Sequence, residues 1–123
     1  MSARSRRANR ADPYLEPGEQ IQAVFPAMSG SSPYTWSKRG SFAAASAQSH
    51  EVVVTERAIL VIDLSKWRAR PIGLRLRRPR DFYFGRLSGL WGSFVLDDTE
   101  YWVGKRFHRD VAAADAALAE MTQ

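Results

Sequence analysis

The feature that most constrains the fold of this chain is a pair of β-branched, apolar runs between residues 50 and 64. Residues 52–54 form the first run and residues 58–62 the second, with the polar break Thr55-Glu56-Arg57 between them. β-branched residues favour strands, and two such runs around a short polar break are typical of a hairpin. The segment therefore predicts a tight hairpin over 50–64, whose strands are buried in part on both faces.

Shorter β-like segments lie on both sides of this hairpin. Further strands are predicted at 21–25, 73–77 and 81–84 and, as a second hairpin turned at Asp97-Asp98, at 93–96 and 99–103. Pro26 is expected to disturb the far end of the first strand, because proline cannot donate to a ladder. The segment 73–77 alternates apolar and basic residues, as a strand does with one face on a core and one in water.

Two segments contain few large apolar side chains that could be buried in a core. Residues 1–13 hold four arginines and almost no side chain that could enter a core, so we expect a disordered basic tail there. Residues 29–49 are rich in Ser, Gly and Ala, which predicts either a long loop or a loop holding a short strand around 34–37. The rest of the chain, 14–123, is expected to form one domain.

The C-terminal end has helical periodicity. Its apolar residues recur at intervals of three and four and are Phe107, Val111, Ala114, Leu118 and Met121. Alanines fill half of the positions between them, and Asp110 stands in the first turn, where it suits the helix dipole. The pattern predicts an amphipathic helix over 107–122 that covers one face or opening of the β-structure.

Two stretches resemble a known kind of domain. Residues 52–63 resemble the "apolar–Thr–x–Arg–apolar" hairpin of bacterial pleckstrin-homology-like (PH-like) and GRAM-like domains, and residues 101–111 resemble their last strand running into a capping helix. In the order of its elements, the chain over 15–122 also resembles small PH-like proteins of actinobacterial type. The resemblance implies a mostly-β fold with one C-terminal α-helix, namely a PH-like split barrel of about seven antiparallel strands capped by the helix.

The same resemblance implies a binding module. PH-like domains bind phosphoinositides, peptides or other proteins, and those that bind inositol phosphates often use basic residues near the first strand pair and its loop. Lys38 and Arg39 lie in the comparable loop of this chain.

The charge of the chain points to the same class of partner. The formal net charge is +5, and a basic balance favours nucleic acid, acidic lipid or an acidic protein face. No acid interrupts the sequence between Asp63 and Asp81. The candidate contacts to an anionic partner are Lys66, Arg68, Arg70, Arg75, Arg77, Arg78 and Arg80, together with Lys38 and Arg39.

The orientation of these side chains decides between two interpretations. If Leu74 and Leu76 face inward, Arg75 and Arg77 project together from the opposite face and can contact phosphate or carboxylate. The alternative is a solvated strand face whose arginines pair with nearby acids and cover apolar surface with their stems.

Nothing in the sequence predicts catalysis. The chain has no cysteine, which excludes disulfides, thiolate metal sites and cysteine nucleophiles. His50 and His108 lack ligands at useful spacing, so no metal site is predicted and both are expected at the surface or at a helix start. The glycines form no nucleotide-binding pattern. We expect no catalytic residue, no cofactor and no small-molecule substrate.

The sequence therefore predicts a non-enzymatic PH-like binding or adaptor module in the cytoplasm. Its partner is expected to be a protein or an anionic lipid surface, with a peripheral position at the inner face of the membrane as one form of the hypothesis. No stretch approaches the roughly 20 apolar residues that span a bilayer. Two alternatives stay open: a small nucleic-acid-binding β-barrel that uses the arginine-rich segment 66–80, and an accessory subunit of a larger complex.

Overall fold

Six antiparallel strands and two α-helices make up the computed structural model, which describes residues 3–30, 32–35, 47–66 and 70–122. The helices are α1 (Ala3–Ala11) and α2 (His108–Met121). The strands are β1 (Ile21–Ser29), β2 (Gln48–Thr55), β3 (Ala58–Leu64), β4 (Pro71–Pro79), β5 (Trp91–Leu96) and β6 (Thr99–Gly104). They form one sheet in the order β4-β3-β2-β1-β6-β5, which is not closed, because no ladder joins β4 to β5 among the described residues.

The hairpin predicted at 50–64 is confirmed as β2 and β3. The two strands pair from His50 opposite Asp63 to Val54 opposite Ile59. The hydroxyl oxygen of Thr55 accepts hydrogen bonds from the backbone N–H groups of residues 57 and 58, at 3.1 and 3.0 Å. Threonine thus closes the turn with its side chain, a local bond that short polar residues make at chain reversals.

The second hairpin and the C-terminal helix are also confirmed. Strands β5 and β6 are joined by Asp97 and Asp98, whose φ angles of 55° and 66° are those of a two-residue turn that follows the strand twist. Helix α2 buries Val111, Ala114 and Leu118, three members of the predicted apolar stripe.

The main core lies on one face of the sheet, which we call the inner face. It is centred on Phe25, Phe84 and Phe94, whose rings meet edge to face at centroid distances of 5.6 Å for Phe25–Phe84 and 4.8 Å for Phe84–Phe94. Tyr101 stacks on Phe94 from β6, and α2 adds Val111 to the same cluster. Edge-to-face pairs of this kind add to the free energy gained by burial alone.

A second, smaller core lies on the outer face. It consists of Ala11, Val24, Val53, Ala58, Leu60 and Ile62. Alternate residues of β2 and β3 thus contribute to the two cores, and both strands are buried on both faces, as the sequence predicts.

The N-terminal residues 3–11 form a helix, which corrects the prediction of a disordered tail. Arg7 and Arg10 of α1 approach the carboxylate of Glu51 to 3.7 and 3.6 Å. Glu51 is buried on β2, and Ala11 is buried at the end of the helix. Burial raises the pKa of Glu51, and the two arginines act against that rise. Two of the arginines in this segment therefore pair with a buried carboxylate of the same chain, and the composition of the segment does not predict that pairing.

Several other boundaries differ from the prediction. Strand β1 continues through Pro26 to Ser29, and residues 81–84 form no strand, because Phe82 and Phe84 pack as an irregular segment into the inner core. Pro33–Thr35 form one turn of 3₁₀ helix rather than a strand. The remainder of the expected loop, 36–46, lies outside the described residues. Six strands are present in the described ranges, against about seven expected.

One ion pair connects the two edges of the sheet. Arg78 on β4 lies 2.7 Å from Asp97 in the β5–β6 turn. The sheet therefore curves until its edge regions meet at this point, although no ladder joins them in the parts of the chain that the structure describes.

Candidate functional site

Two connections leave the sheet at the same end. Ser29 at the end of β1 pairs with Gln48 at the start of β2, and Leu64 at the end of β3 pairs with Pro71 at the start of β4. Because β1 to β4 form an antiparallel meander, the β1–β2 and β3–β4 connections both leave and re-enter the sheet at this end. We call it the basic end, since the two connections carry only basic charges, namely Lys38, Arg39, Lys66, Arg68 and Arg70.

The structure places two of these five predicted contacts. Lys66 and Arg70 are exposed, immediately after β3 and immediately before β4. Neither forms an ion pair with the residues the structure describes. Lys38, Arg39 and Arg68 lie outside the described residues, so their roles stay predictions.

The other four predicted contacts bind partners within the chain. The Arg75 Nε donates to Asp63 Oδ1 at 2.8 Å, and the Arg78 guanidinium pairs with Asp97 as described above. Both are partly exposed, so an anionic partner would compete with an internal carboxylate for either of them.

Arg77 is held by two glutamates. Its guanidinium donates to both carboxylate oxygens of Glu19, at 3.0 and 2.9 Å, and to Glu16 at 2.8 Å. Burial alone would raise the pKa of Glu19, but hydrogen bonds from Arg77 and Thr55 outweigh it and lower that pKa to about 2. A bidentate arginine–carboxylate pair of this kind fixes the turn before β1 to β4, and the hydrogen bond from Thr55 to Glu19 fixes the same turn to the β2–β3 hairpin.

Arg80 is a structural residue. It is 5% exposed, and its guanidinium donates to Gln22 Oε1 at 3.0 Å and to the carbonyl oxygen of Ala114 at 2.6 Å. Burial lowers its pKa below the usual value. Because it joins the end of β4 to β1 and α2, it is not available to an external ligand in this conformation.

Arg75 and Arg77 do not form one patch, so the condition that Leu74 and Leu76 both face inward is not met. Leu76 lies opposite Val61 whereas Leu74 lies opposite Ile62, so β4 has one extra residue at Arg75. Such a bulge shifts the alternation by one position. Arg75 consequently binds Asp63 and Arg77 binds Glu19, in different parts of the structure.

A row of hydrogen-bonded polar side chains lies beside the basic end. Ser29 Oγ is 2.6 Å from His50 Nε2, and His50 Nδ1 is 2.8 Å from Asp63 Oδ1, which also accepts from Arg75. His50 is fully buried, so the expectation of a surface histidine is wrong. Burial lowers the pKa of His50, and this outweighs the opposing hydrogen bond to Asp63.

The order serine, histidine, aspartate has the spacing of an activated nucleophile. Here, however, Ser29 is 8% exposed and His50 is 0% exposed, beside the ring of Tyr101 at 5.2 Å. The row satisfies the polar atoms that His50 brings into the core. Sequence reasoning missed it, although His50 and Asp63 stand equally far from the Thr55 turn and so are cross-strand partners in a regular hairpin.

A depression at the other end of the hairpin was also missed. It has a volume of about 330 Å³ and is lined by Arg57, Ala58, Arg77, Arg78 and Pro79. The carboxylates paired with its three arginines are those of Glu16, Glu19, Glu56 and Asp97. Four carboxylates against three guanidinium groups leave no excess of positive charge, so the depression is a weaker candidate for an anion than the basic end.

Comparison with protein-family models, with curated proteins and with solved structures gives no match for this chain. Over the described ranges, no helix is both long and apolar enough to cross a membrane. Within the same ranges, no group of three or more His, Asp or Glu side chains could hold a metal ion.

Proposed function

We propose that this chain is a non-enzymatic PH-like binding module that attaches to an anionic membrane surface through its basic end. The observation that carries the proposal is the meander of β1 to β4, from which two connections with an acid-free, basic sequence leave at one end of the sheet. The PH-like split barrel is part of the proposal. The strong curvature of the sheet and the packing of α2 on the inner core support it.

Electrostatics favours an anionic surface at this end. A lysine or arginine near an anionic leaflet contributes about 1 kcal/mol, so five of them supply a useful attraction without a specific pocket. The Asp97-Asp98 turn does not offset this charge, because Asp97 pairs with Arg78, which lies opposite Ile59 beside the Thr55 turn and away from the basic end.

The sequence of the two connections favours a membrane over the other partners. Trp36 precedes Lys38 and Arg39, and Trp67 stands between Lys66 and Arg68. Tryptophan combined with basic residues is typical of segments that lie at the interface of a bilayer. The proposal places the chain in the cytoplasm, at the inner face of the membrane. A protein partner, a nucleic acid or a larger complex are the alternatives that the experiment must separate.

The test is a charge reversal at the basic end. The variant Lys66→Glu/Arg70→Glu should weaken binding to vesicles of equal parts phosphatidylcholine and phosphatidylglycerol by roughly tenfold or more, because two attractive charges become repulsive. The matched control is Arg86→Glu/Arg109→Glu. It changes the net charge equally, at exposed positions on α2 and in the segment that is hydrogen-bonded to α2 through Gly85. Co-sedimentation with the vesicles measures the binding of both variants.

The outcomes separate the partners. Equal weakening by the two variants would show a non-specific charge effect and contradict the proposal. Retention of the wild-type chain on an oligonucleotide but not on anionic vesicles, lost in the Lys66→Glu/Arg70→Glu variant, would instead identify the nucleic-acid alternative.

A further inference from the structure

Two apolar side chains next to the basic end are exposed to solvent. Ile72 is 66% exposed and Leu74 is 43% exposed, both on the edge strand β4. Ile72 comes two residues after Arg70. Single exposed apolar residues are common on protein surfaces, but two on one strand edge beside exposed cations form a surface that differs from its surroundings.

The backbone explains why Ile72 is uncovered. Leu64 pairs with Pro71 and Asp63 pairs with Gly73, so one step along β3 corresponds to two steps along β4. Ile72 is the extra residue of this bulge and has no cross-strand neighbour on β3. A second bulge at Arg75 lies one residue beyond Leu74. Bulges often redirect a side chain next to a functional site, and here two of them border the exposed pair.

The charges around the pair indicate what covers it. Lys66 and Arg70 are exposed on the connection that leads into β4, and no acid occurs between Asp63 and Asp81. Asp63 itself is bound by His50 and Arg75. An apolar surface bordered by exposed cations, with its one neighbouring carboxylate paired to Arg75, complements a layer that is anionic outside and apolar beneath, which is the leaflet of an anionic bilayer.

We propose that Ile72 and Leu74 enter the interfacial region of the bilayer when the basic end binds it. The inference rests on the proposed function, and it adds a salt-resistant contribution to the attraction of the charges. The cations bring the module to the surface, and the two apolar side chains then hold it at a defined depth and orientation. The start of edge strand β4 therefore faces the membrane, and α2, which packs on the inner core, lies away from it.

A fluorophore placed at residue 72 tests this directly. The chain has no cysteine, so Ile72→Cys introduces a single site for a polarity-sensitive label. On vesicles of equal parts phosphatidylcholine and phosphatidylglycerol, we expect a blue shift of its emission and protection from an aqueous quencher. The matched control is Met121→Cys, since Met121 is 43% exposed and its Sδ lies 3.3 Å from Gln22 Nε2 at the start of β1, the end of that strand opposite the basic end. The label at residue 121 should keep its emission and stay accessible to the quencher.

Substitutions that leave the charge unchanged give an independent test. Ile72→Ser/Leu74→Ser should lower partitioning roughly tenfold, as expected for the loss of partly buried apolar side chains. The control Tyr83→Ser/Met121→Ser removes two side chains of similar exposure, 54% and 43%, one next to α2 and one on it, and should bind like the wild type. At high salt, the wild type should retain a fraction on the vesicles that the Ile72→Ser/Leu74→Ser variant loses.

The outcomes distinguish this inference from the proposed function. If Lys66→Glu/Arg70→Glu weakens binding while Ile72→Ser/Leu74→Ser does not, and the label at 72 stays in water, attachment is electrostatic alone and the inference is overturned. If the wild type binds no vesicle, both are overturned. If the wild type is a dimer that Ile72→Ser/Leu74→Ser converts to a monomer, a second copy covers this surface, and the inference is again overturned.

Discussion

At the scale of single residues, the interior polar row shows how a histidine can sit inside a small β-domain. His50 is fully buried, and both of its ring nitrogens have partners, Ser29 and Asp63. The carboxylate of Asp63 is shared with Arg75, which remains partly exposed. The row thus connects the core to the surface near the basic end, with a hydrogen-bonding partner at each step.

This row makes the stability of the protein depend on pH. Burial lowers the pKa of His50 below the 6.5 of an unfolded histidine. The unfolded state therefore binds the proton more tightly than the folded state. The contribution of neutral His50 is fully present above pH 6.5 and is lost as the pH falls from 6.5 through the lower pKa of the folded state. We expect the midpoint of urea unfolding to fall over this range.

The other histidine provides the control. His50→Gln should remove most of this dependence on pH, whereas His108→Gln should preserve it. The pKa of Glu51 is raised from 4.5, so Glu51 changes the stability with pH in the opposite sense to His50. Because both variants keep Glu51, the difference between their pH dependences reports on His50 and not on Glu51. An NMR titration of the wild-type imidazoles reads the same pKa without a substitution. A His50 resonance that titrates at or above pH 6.5 would contradict this account.

At the scale of elements, the sequence predicts those helices and strands whose formation depends on residues close together in the chain. The β2–β3 hairpin follows from β-branched runs and the Thr55 turn, and α2 follows from an apolar stripe with alanine between its members. The bulges at Ile72 and Arg75 could not be predicted, because alternation along β4 contains no sign of an extra residue. They decide which side chains of β4 share a face.

Helix α1 was missed for a related reason. Its sequence is basic, and its binding partner Glu51 lies about 40 residues further along the chain. Only the paired strands β1 and β2 bring that carboxylate beneath the helix. A short helix of this composition is marginal without tertiary contacts, so its own sequence favours disorder.

The contact between α1 and Glu51 can be tested by a cycle of substitutions. Arg7→Ala/Arg10→Ala should lower the free energy of unfolding by about 1 to 2 kcal/mol, because a buried carboxylate loses its cations; fully buried pairs lose about 3 kcal/mol or more. Adding Glu51→Gln to this variant should restore much of the loss, since no buried charge then remains. Urea unfolding measures each step. If Arg7→Ala/Arg10→Ala were equally stable with and without Glu51→Gln, the unpaired carboxylate would cost nothing, and the ion pairs would contribute nothing to stability.

At the scale of the whole molecule, the sequence identified the basic segments but not their partners. Arg77, Arg78 and Arg80 belong to the acid-free run, yet the groups that bind them are Glu19, Asp97 and the carbonyl of Ala114, all distant in sequence. Of the predicted contacts at the basic end, the structure places Lys66 and Arg70, which are exposed at the two ends of the β3–β4 connection. This separation between structural and available arginines depends on the topology and could not be read from composition.

The most direct test of the central claim uses the unmodified chain. Its partitioning is measured on vesicles of pure phosphatidylcholine and on vesicles of equal parts phosphatidylcholine and phosphatidylglycerol, each over a series of salt concentrations. The account predicts binding to the anionic vesicles that weakens as salt screens the charges, and far weaker binding to the neutral ones. Equal binding to both kinds of vesicle, or binding to neither, would contradict it.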